Sequence, residues 1–292
     1  MCTIIVKQCE GRIRLMNRPE GDALHRDQPL CASIYEQTAH TYDRHRKADP
    51  EIADELMQQL RPQKEGHYLD VGCGSGNYTK ALAERGLHIE GTDLSDSMLA
   101  KAEAKAPELQ WTTADMRSLP FEINAFAGVL TVHTLHYIKD ELVETFSEIR
   151  RVLQPGGRFV VLAVGLEQAL QFWVNHYFPF FGEVAYRAVV PRETIVAAFQ
   201  EAGFSDVSLK PYFTTEETAD LFSYACKYRP HLFLDPTLRA GMTPFQLPEY
   251  AEEVERGCEH LEQDLKSGAI YRVIAKHESD LGEGLFVSGT AQ

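Results

Sequence analysis

Tyr68-Leu69-Asp70-Val71-Gly72-Cys73-Gly74-Ser75-Gly76-Asn77 is the stretch that decides the fold. An apolar strand runs into an acid, glycine occupies every second position, and a helical pattern opens at Asn77. Glycines so spaced let the backbone turn tightly and lie close against a ligand, because no Cβ intrudes. The order strand, acid, G-x-G-x-G, helix supplies the context that a lone glycine-rich loop lacks. A dinucleotide fold would show G-x-G-x-x-G and seat a pyrophosphate on helix-terminal amides. Here the glycines keep a two-residue period, and Asp70 would repel a pyrophosphate but suit a cationic group. The plain alternative is a tight strand-to-helix turn that binds nothing.

Working outward, strands alternate with helices. The strand candidates are His67–Val71, His88–Thr92, Leu109–Thr113, Ala127–Val132 and Arg158–Val164. The intervening helices are Asn77–Glu84, Ser97–Lys105 and Glu141–Leu153, the last closed by Pro155-Gly156-Gly157. This alternation predicts an α/β, doubly wound, parallel sheet covered on both faces, with right-handed crossovers. Upstream, Asp49-Pro50-Glu51 starts a helix carrying Ile52, Leu56 and Leu60 on one face. Residues 1–33 show no sustained periodicity and read as an irregular N-terminal extension. Downstream, seven aromatics crowd between Phe172 and Tyr186. A helix at Arg192–Ala202 and a strand at Val207–Pro211 follow. The expected organisation is a core of residues 34–211 and 267–278, with Ile270–Ala275 as the last strand. Residues 212–266 form a helical lid inserted between the last two strands.

Composition narrows the function. The 292 residues carry 29 Lys and Arg against 43 Asp and Glu, a net charge of −14. Nucleic-acid binders draw most of their affinity from a basic footprint, so the bulk field disfavours DNA and RNA. It favours a neutral or cationic small molecule. The six cysteines show no C-x-x-C pair and resemble neither a zinc site nor a disulfide framework, and no metal site is expected. No run approaches the apolar length of a membrane span, and the N-terminal apolar run is too short for a secretory signal, so a cytoplasmic location is expected.

A second acid closes the next strand, in Gly91-Thr92-Asp93-Leu94-Ser95, 17 positions after Gly76. Such an acid grips ribose hydroxyls in nucleotide-binding α/β folds, at an offset of about 20 residues. Alone, it could equally cap the following helix. Together these residues resemble the class I S-adenosylmethionine (SAM)-dependent methyltransferases, in particular the small-molecule group similar to ubiquinone/menaquinone-biosynthesis methyltransferases. The resemblance runs from about Ile34 to Val164. Asp70, Gly72, Cys73 and Gly74 match its first motif, and Asp93, Leu94 and Met98 its ribose segment. Ala114-Asp115-Met116 matches its adenine segment, where Asp115 would accept from the exocyclic amine and Met116 would offer its backbone N–H. Leu153-Gln154-Pro155-Gly156-Gly157 matches the turn before the fifth strand. The resemblance implies a seven-stranded, mostly parallel Rossmann-like sheet with SAM as cofactor and S-adenosylhomocysteine as product.

The fourth strand departs from that pattern, opening Phe126-Ala127 rather than Phe-Asp. Its ending, Val132-His133-Thr134-Leu135-His136, is similar to the family's. The resemblance places His133 and Thr134 near the sulfonium, with His133 the candidate catalytic group against a structural role. Tyr35, Tyr42, Arg44 and Arg46 fall on the helices that cover SAM in similar proteins, where an Arg can hold the methionine carboxylate. For the acceptor, Tyr35, His136, Trp173, Tyr177 and Phe181 are the expected pocket residues; the aromatics could instead pack the lid or form a homodimer face. The expected activity is in-line methyl transfer to a small-molecule acceptor. The alternatives are a non-catalytic SAM-binding or regulatory module and a nucleic-acid methyltransferase. The second lacks its Asn/Asp-Pro-Pro-aromatic signature, since Thr131-Val132-His133-Thr134 stands there. An NAD-dependent oxidoreductase would need different glycine spacing.

Overall fold

Asp49 begins the core. Its carboxylate accepts hydrogen bonds from the backbone N–H of Glu51 (2.9 Å) and Ile52 (3.2 Å), and Pro50 needs no partner, so helix α1 (Pro50–Leu60) starts where the sequence signals it. The computed structural model describes residues 3–9, 12–18, 43 and 45–292. The expected roles of Tyr35, Tyr42 and Arg44 fall outside these residues. Strands β1 (Thr3–Cys9) and β2 (Arg12–Arg18) pair antiparallel, where irregular chain was expected. The β-branched run Thr3-Ile4-Ile5-Val6 and the alternation Arg12-Ile13-Arg14-Leu15 account for the difference, since both favour extended backbone.

The elements then follow in chain order: β3 (His67–Val71), α2 (Asn77–Ala83), β4 (His88–Asp93), α3 (Asp96–Lys105), β5 (Trp111–Thr113), β6 (Phe126–Val132), α4 (Leu142–Val152) and β7 (Leu153–Ala163). After them come α5 (Leu166–Gln171), α6 (Phe180–Ala188), α7 (Arg192–Glu201), β8 (Phe204–Tyr212), α8 (Pro236–Arg239), α9 (Ala251–Ser267), α10 (Ile270–Lys276) and β9 (Gly284–Ala291). Seven strands form one sheet in the order β5-β4-β3-β6-β7-β9-β8. All its pairings are parallel except those of β9, which runs antiparallel between β7 and β8. The strand order reverses between β3 and β6. In an open α/β sheet that is where the crevice outside the carboxyl ends of the strands takes a ligand.

Alternation along each strand feeds two cores. Leu69, Val71, Val129, Phe159, Val161 and Val287 face one way, against Phe146 and Ile149 of α4 and Ile195 and Phe199 of α7. Tyr68, Leu130, Val160, Leu162 and Phe286 face the other, against Ile52 and Leu56 of α1 and Leu82 of α2. A third core belongs to the lid. It gathers Trp173, Tyr177, Phe178 and Phe181 with Phe233, Leu261 and Ile270.

The expected last strand is corrected. Ile270–Ala275 is helical, within α10, and Ile270 and Ile274 bury one helical face at i, i+4. The last strand is β9, so residues 267–278 belong with the lid and the insertion between the last two strands runs from 213 to 283. Gly289 in β9 is needed for packing, because a Cβ there would lie 2.9 Å from the Phe199 ring.

Candidate active site

The glycine loop folds back onto the neighbouring strand. The N–H groups of Gly72 (2.7 Å) and Cys73 (2.9 Å) both donate to the Thr92 carbonyl, and that of Gly74 donates to Asp93 Oδ2 at 2.8 Å. Gly72, Gly74 and Gly76 have φ of +71°, +55° and +74°, the left-handed region that costs other residues about 1–2 kcal/mol. A Cβ on Gly72 would meet Thr134 Cγ2 at 2.6 Å, and one on Gly76 would meet the Trp111 ring at 2.5 Å. Among the described residues, a Cβ on Gly74 would meet nothing closer than Met98 Cε at 4.0 Å, so space is open there. Gly76→Ala is therefore expected to destabilise the fold by about 2–4 kcal/mol, through overpacking as well as strain. Gly74→Ala should cost only about 1 kcal/mol. Urea unfolding of the two variants checks the contrast, and equal losses would contradict it.

Asp70 is 2% exposed. Its Oδ2 accepts from Thr79 Oγ1 at 2.7 Å, whereas Oδ1 has no hydrogen-bond partner among the described residues. Burial, aided by the charge of Asp93 and opposed by the Thr79 hydroxyl, pushes its pKa up to about 7. A buried acceptor left over in this way fits a cationic ligand group, which would restore the carboxylate. Asp93 accepts from Gly74 and, through Oδ1, from the Ser95 N–H at 2.9 Å. Burial raises its pKa, and these backbone donors oppose the rise. Beyond it Leu94 is 66% exposed, a large apolar side chain presented at the strand end, while Met98 is buried beneath the loop.

Asp115 is held by Arg117 in a two-pronged contact, with Nη2 at 2.6 Å from Oδ2 and Nε at 2.9 Å from Oδ1. Hydrogen bonds from Arg117 outweigh burial and keep the Asp115 carboxyl below its usual range. Met116 lies beside the loop, its Cε 3.9 Å from where a Gly72 Cβ would stand. Thr134 shares a 2.5 Å hydroxyl contact with Thr131, which also donates to the Val71 carbonyl.

Two cavities meet at this end of the sheet. The smaller, about 40 Å³, is lined by Asp70, Gly72, Cys73 and Gly74 together with Arg46 and Asp220. The larger, about 170 Å³, lies under the lid and is walled by His133, His136, Phe181, Val184, Phe222 and Met242 among others. Arg46 borders both. Its guanidinium grips Asp220 through Nε at 2.5 Å and Nη2 at 3.2 Å, and Tyr78 Oη donates to the same carboxylate at 3.1 Å. Asp43 ties the chain before the core to the loop, accepting from Ser75 Oγ (2.6 Å) and Lys105 Nζ (2.7 Å).

His133 has φ +57°, a left-handed conformation that is uncommon for histidine and a mark of functional sites. Its N–H donates to the Leu162 carbonyl at 2.8 Å and its ring packs 4.6 Å from that of Phe222. Nε2 is buried with no partner among the described residues. Burial first, then the charge of Arg46, keeps His133 well below the usual imidazole range, and the same two causes lower His136 to about 4. Both rings are neutral at pH 7 and can accept or donate a hydrogen bond.

The expected pocket residues thus divide. His136 and Phe181 wall the larger cavity, but Trp173 and Tyr177 do not line it. Trp173 is buried in the lid core with its indole N–H donating to the Lys227 carbonyl, and Tyr177 Oη donates to Asp264 at 2.8 Å. Each large ring gains more by packing while its polar end finds a partner. Asp220, Asp43, Phe222 and Met242 escaped the sequence reading, since no local pattern marks them.

Comparison with known proteins agrees with the fold. A methyltransferase domain family model matches residues 69–161. The chain is 29% identical over 187 residues to a demethylmenaquinone methyltransferase of Bacillus pumilus, covering 54% of this chain and 79% of the relative. It is 29% identical over 150 residues to a malonyl-[acyl-carrier protein] O-methyltransferase of Enterobacter lignolyticus, covering 50% of this chain and 59% of the relative. Among solved structures, a protein assigned as a methyltransferase of an antibiotic biosynthesis pathway in Anabaena variabilis superposes with a TM-score of 0.75 at 28% identity, covering 84% of this chain and 99% of that one. The glycine loop, the acids at the ends of β3 and β4 and these relatives make the chain a class I SAM-dependent methyltransferase.

Proposed function

We propose that this methyltransferase modifies a largely apolar small molecule carrying a nucleophilic hydroxyl, held in the larger cavity with that hydroxyl toward His133. The observation that carries the reading is the Nε2 of His133, unpartnered among the described residues, in a largely apolar wall that also holds Arg46 and His136, next to the glycine loop. Asp70, the glycine loop and Arg46 are suited to the amino-acid end of SAM, Asp93 to its ribose, and Leu94, Met98, Asp115 and Met116 to its adenine. Bound SAM supplies a methyl group on a sulfonium, open to in-line displacement. The chain's own task is to align the acceptor and exclude water. His133 orients the acceptor hydroxyl and takes its proton as the new bond forms, a role open to a neutral imidazole. Its depressed pKa makes it a weak base, so positioning is the larger part of its contribution. A non-catalytic SAM-binding module would need no second cavity, whereas this chain has one beside the first. A cytoplasmic setting belongs to the same proposal and is supported by the absence, among the described residues, of a helix long and apolar enough to cross a membrane.

The test is a methylation assay on a panel of apolar phenols and alcohols, read by mass spectrometry. His133→Ala is expected to lower kcat about 10²-fold and leave SAM affinity within a factor of about two. Unchanged kcat would remove His133 from the reaction. Methylation of amines only would overturn the hydroxyl assignment.

A further inference from the structure

The lid gathers a second set of chemistry-bearing side chains. His176 ends the short 3-10 turn Trp173–His176, and His260 and Asp264 lie four residues apart on α9, hence on one helical face. One ligand atom from each of the three lies within 4.8 Å of the others. The His176 and His260 rings stand 5.3 Å apart, and His260 Nε2 is 3.8 Å from Asp264 Oδ2. The carboxylate is oriented by the Tyr177 hydroxyl, which donates to it at 2.8 Å, and the Tyr177 ring lies 4.8 Å from that of His260. His277, just past α10, adds a third imidazole with its ring 6.5 Å from that of His176. Its Nδ1 donates to the Val273 carbonyl at 2.8 Å, which leaves Nε2 as the ring nitrogen with a lone pair.

From this convergence we infer that His176, His260 and Asp264 form a binding site for a divalent transition-metal ion of the zinc type, separate from the SAM and acceptor cavities. Two imidazoles and one carboxylate are the donor set that such a borderline ion takes, at bond lengths of about 2.0–2.2 Å. Tetrahedral ligands at those lengths sit about 3.3 Å apart. Histidine side chains half open to solvent close that gap by small rotations about χ1 and χ2. The Tyr177–Asp264 hydrogen bond is the outer-shell contact that usually accompanies such a site. An ion there would strengthen the link between the turn before α6 and α9, two segments already joined by the aromatic core and the Tyr177–Asp264 hydrogen bond. Phe181 of α6 walls the acceptor cavity, so the ion would brace one wall of the roof.

The full-length, untagged protein is titrated with Zn²⁺ by calorimetry and with Co²⁺ by absorbance. One equivalent is expected to bind with micromolar or tighter affinity and to raise the Tm. The Co²⁺ spectrum should show no thiolate charge-transfer band, which separates this site from Cys258 and the other thiols. His260→Gln and Asp264→Asn should each weaken binding about tenfold or more without lowering the Tm of the metal-free protein by more than a few degrees. Asp264→Asn keeps an acceptor for Tyr177. His231→Ala, at an exposed imidazole elsewhere on the lid, should change nothing. Binding that survives both site variants, a thiolate band, or no binding to the folded protein would each overturn the inference.

Discussion

Asp220→Ala should unfold this protein more readily than any surface substitution, with a loss of about 3–5 kcal/mol, the usual cost of stranding one member of a buried ion pair. Asp220 is 1% exposed and Arg46 15%, so water can replace little of the contact that the carboxylate makes with the guanidinium. The same change removes the acceptor for Tyr78 Oη. Asp220→Asn should lie between, because the amide oxygen still accepts from Tyr78 while the charge is lost. The Arg85–Asp54 pair supplies the contrast, since Asp54 is largely exposed and Asp54→Ala should cost no more than about 1 kcal/mol. Urea unfolding of the three variants measures these differences. Function should fall with stability. Arg46 lines both cavities, and without Asp220 its side chain would be held less firmly there. A loss below about 1 kcal/mol for Asp220→Ala would mean that the pair contributes nothing net.

The second large effect is expected at Asp93. Its carboxylate accepts from Gly74 and Ser95 and keeps lone pairs for two further donors. Two ribose hydroxyls on a partly buried carboxylate contribute about 1.5–3 kcal/mol each. Asp93→Ala should therefore weaken SAM about 10²-fold or more, and also slacken the loop that Gly74 anchors. Asp93→Asn retains an oxygen for Gly74 and should weaken SAM about tenfold. Calorimetric titration of each variant tells the two contributions apart. An unchanged affinity for Asp93→Asn would show that the residue acts only in holding the loop, through the N–H groups of Gly74 and Ser95.

The elements that could be read from sequence are those with a local cause. Asp49-Pro50 fixes a helix start, and apolar runs of strand length fix β3, β4, β6 and β7 in order. The glycine period and the two acids mark the loop proposed to hold SAM; in the structure Gly74 donates to Asp93, and Asp70 lines one cavity with the loop. What escaped has a long-range cause. Ile270-Tyr271-Arg272-Val273-Ile274 has strand composition but helical spacing, and burial of Ile270 and Ile274 against the lid core decides for the helix. Gly284 and Gly289 make β9 look weak locally, yet Gly289 is required by Phe199. Asp220 is invisible because its partners Tyr78 and Arg46 lie far away in sequence. The aromatics after Val164 give no sign of which ring faces a cavity. Trp173 and Tyr177 turn into the lid core, while Phe181, from the next helix, reaches the cavity wall. No regular ligand spacing links His176 to His260 and Asp264, so their convergence emerges only when the lid is folded.

The central claim is that the loop between β3 and α2, with Asp70 and Asp93, holds SAM. It is tested most directly by calorimetric titration of the folded protein with SAM, S-adenosylhomocysteine and NAD. The account predicts micromolar, one-to-one binding of both adenosyl ligands, none of NAD, and loss of the signal in Asp93→Ala. Absence of adenosyl binding in a protein that melts cooperatively, or equal binding of NAD, would contradict it.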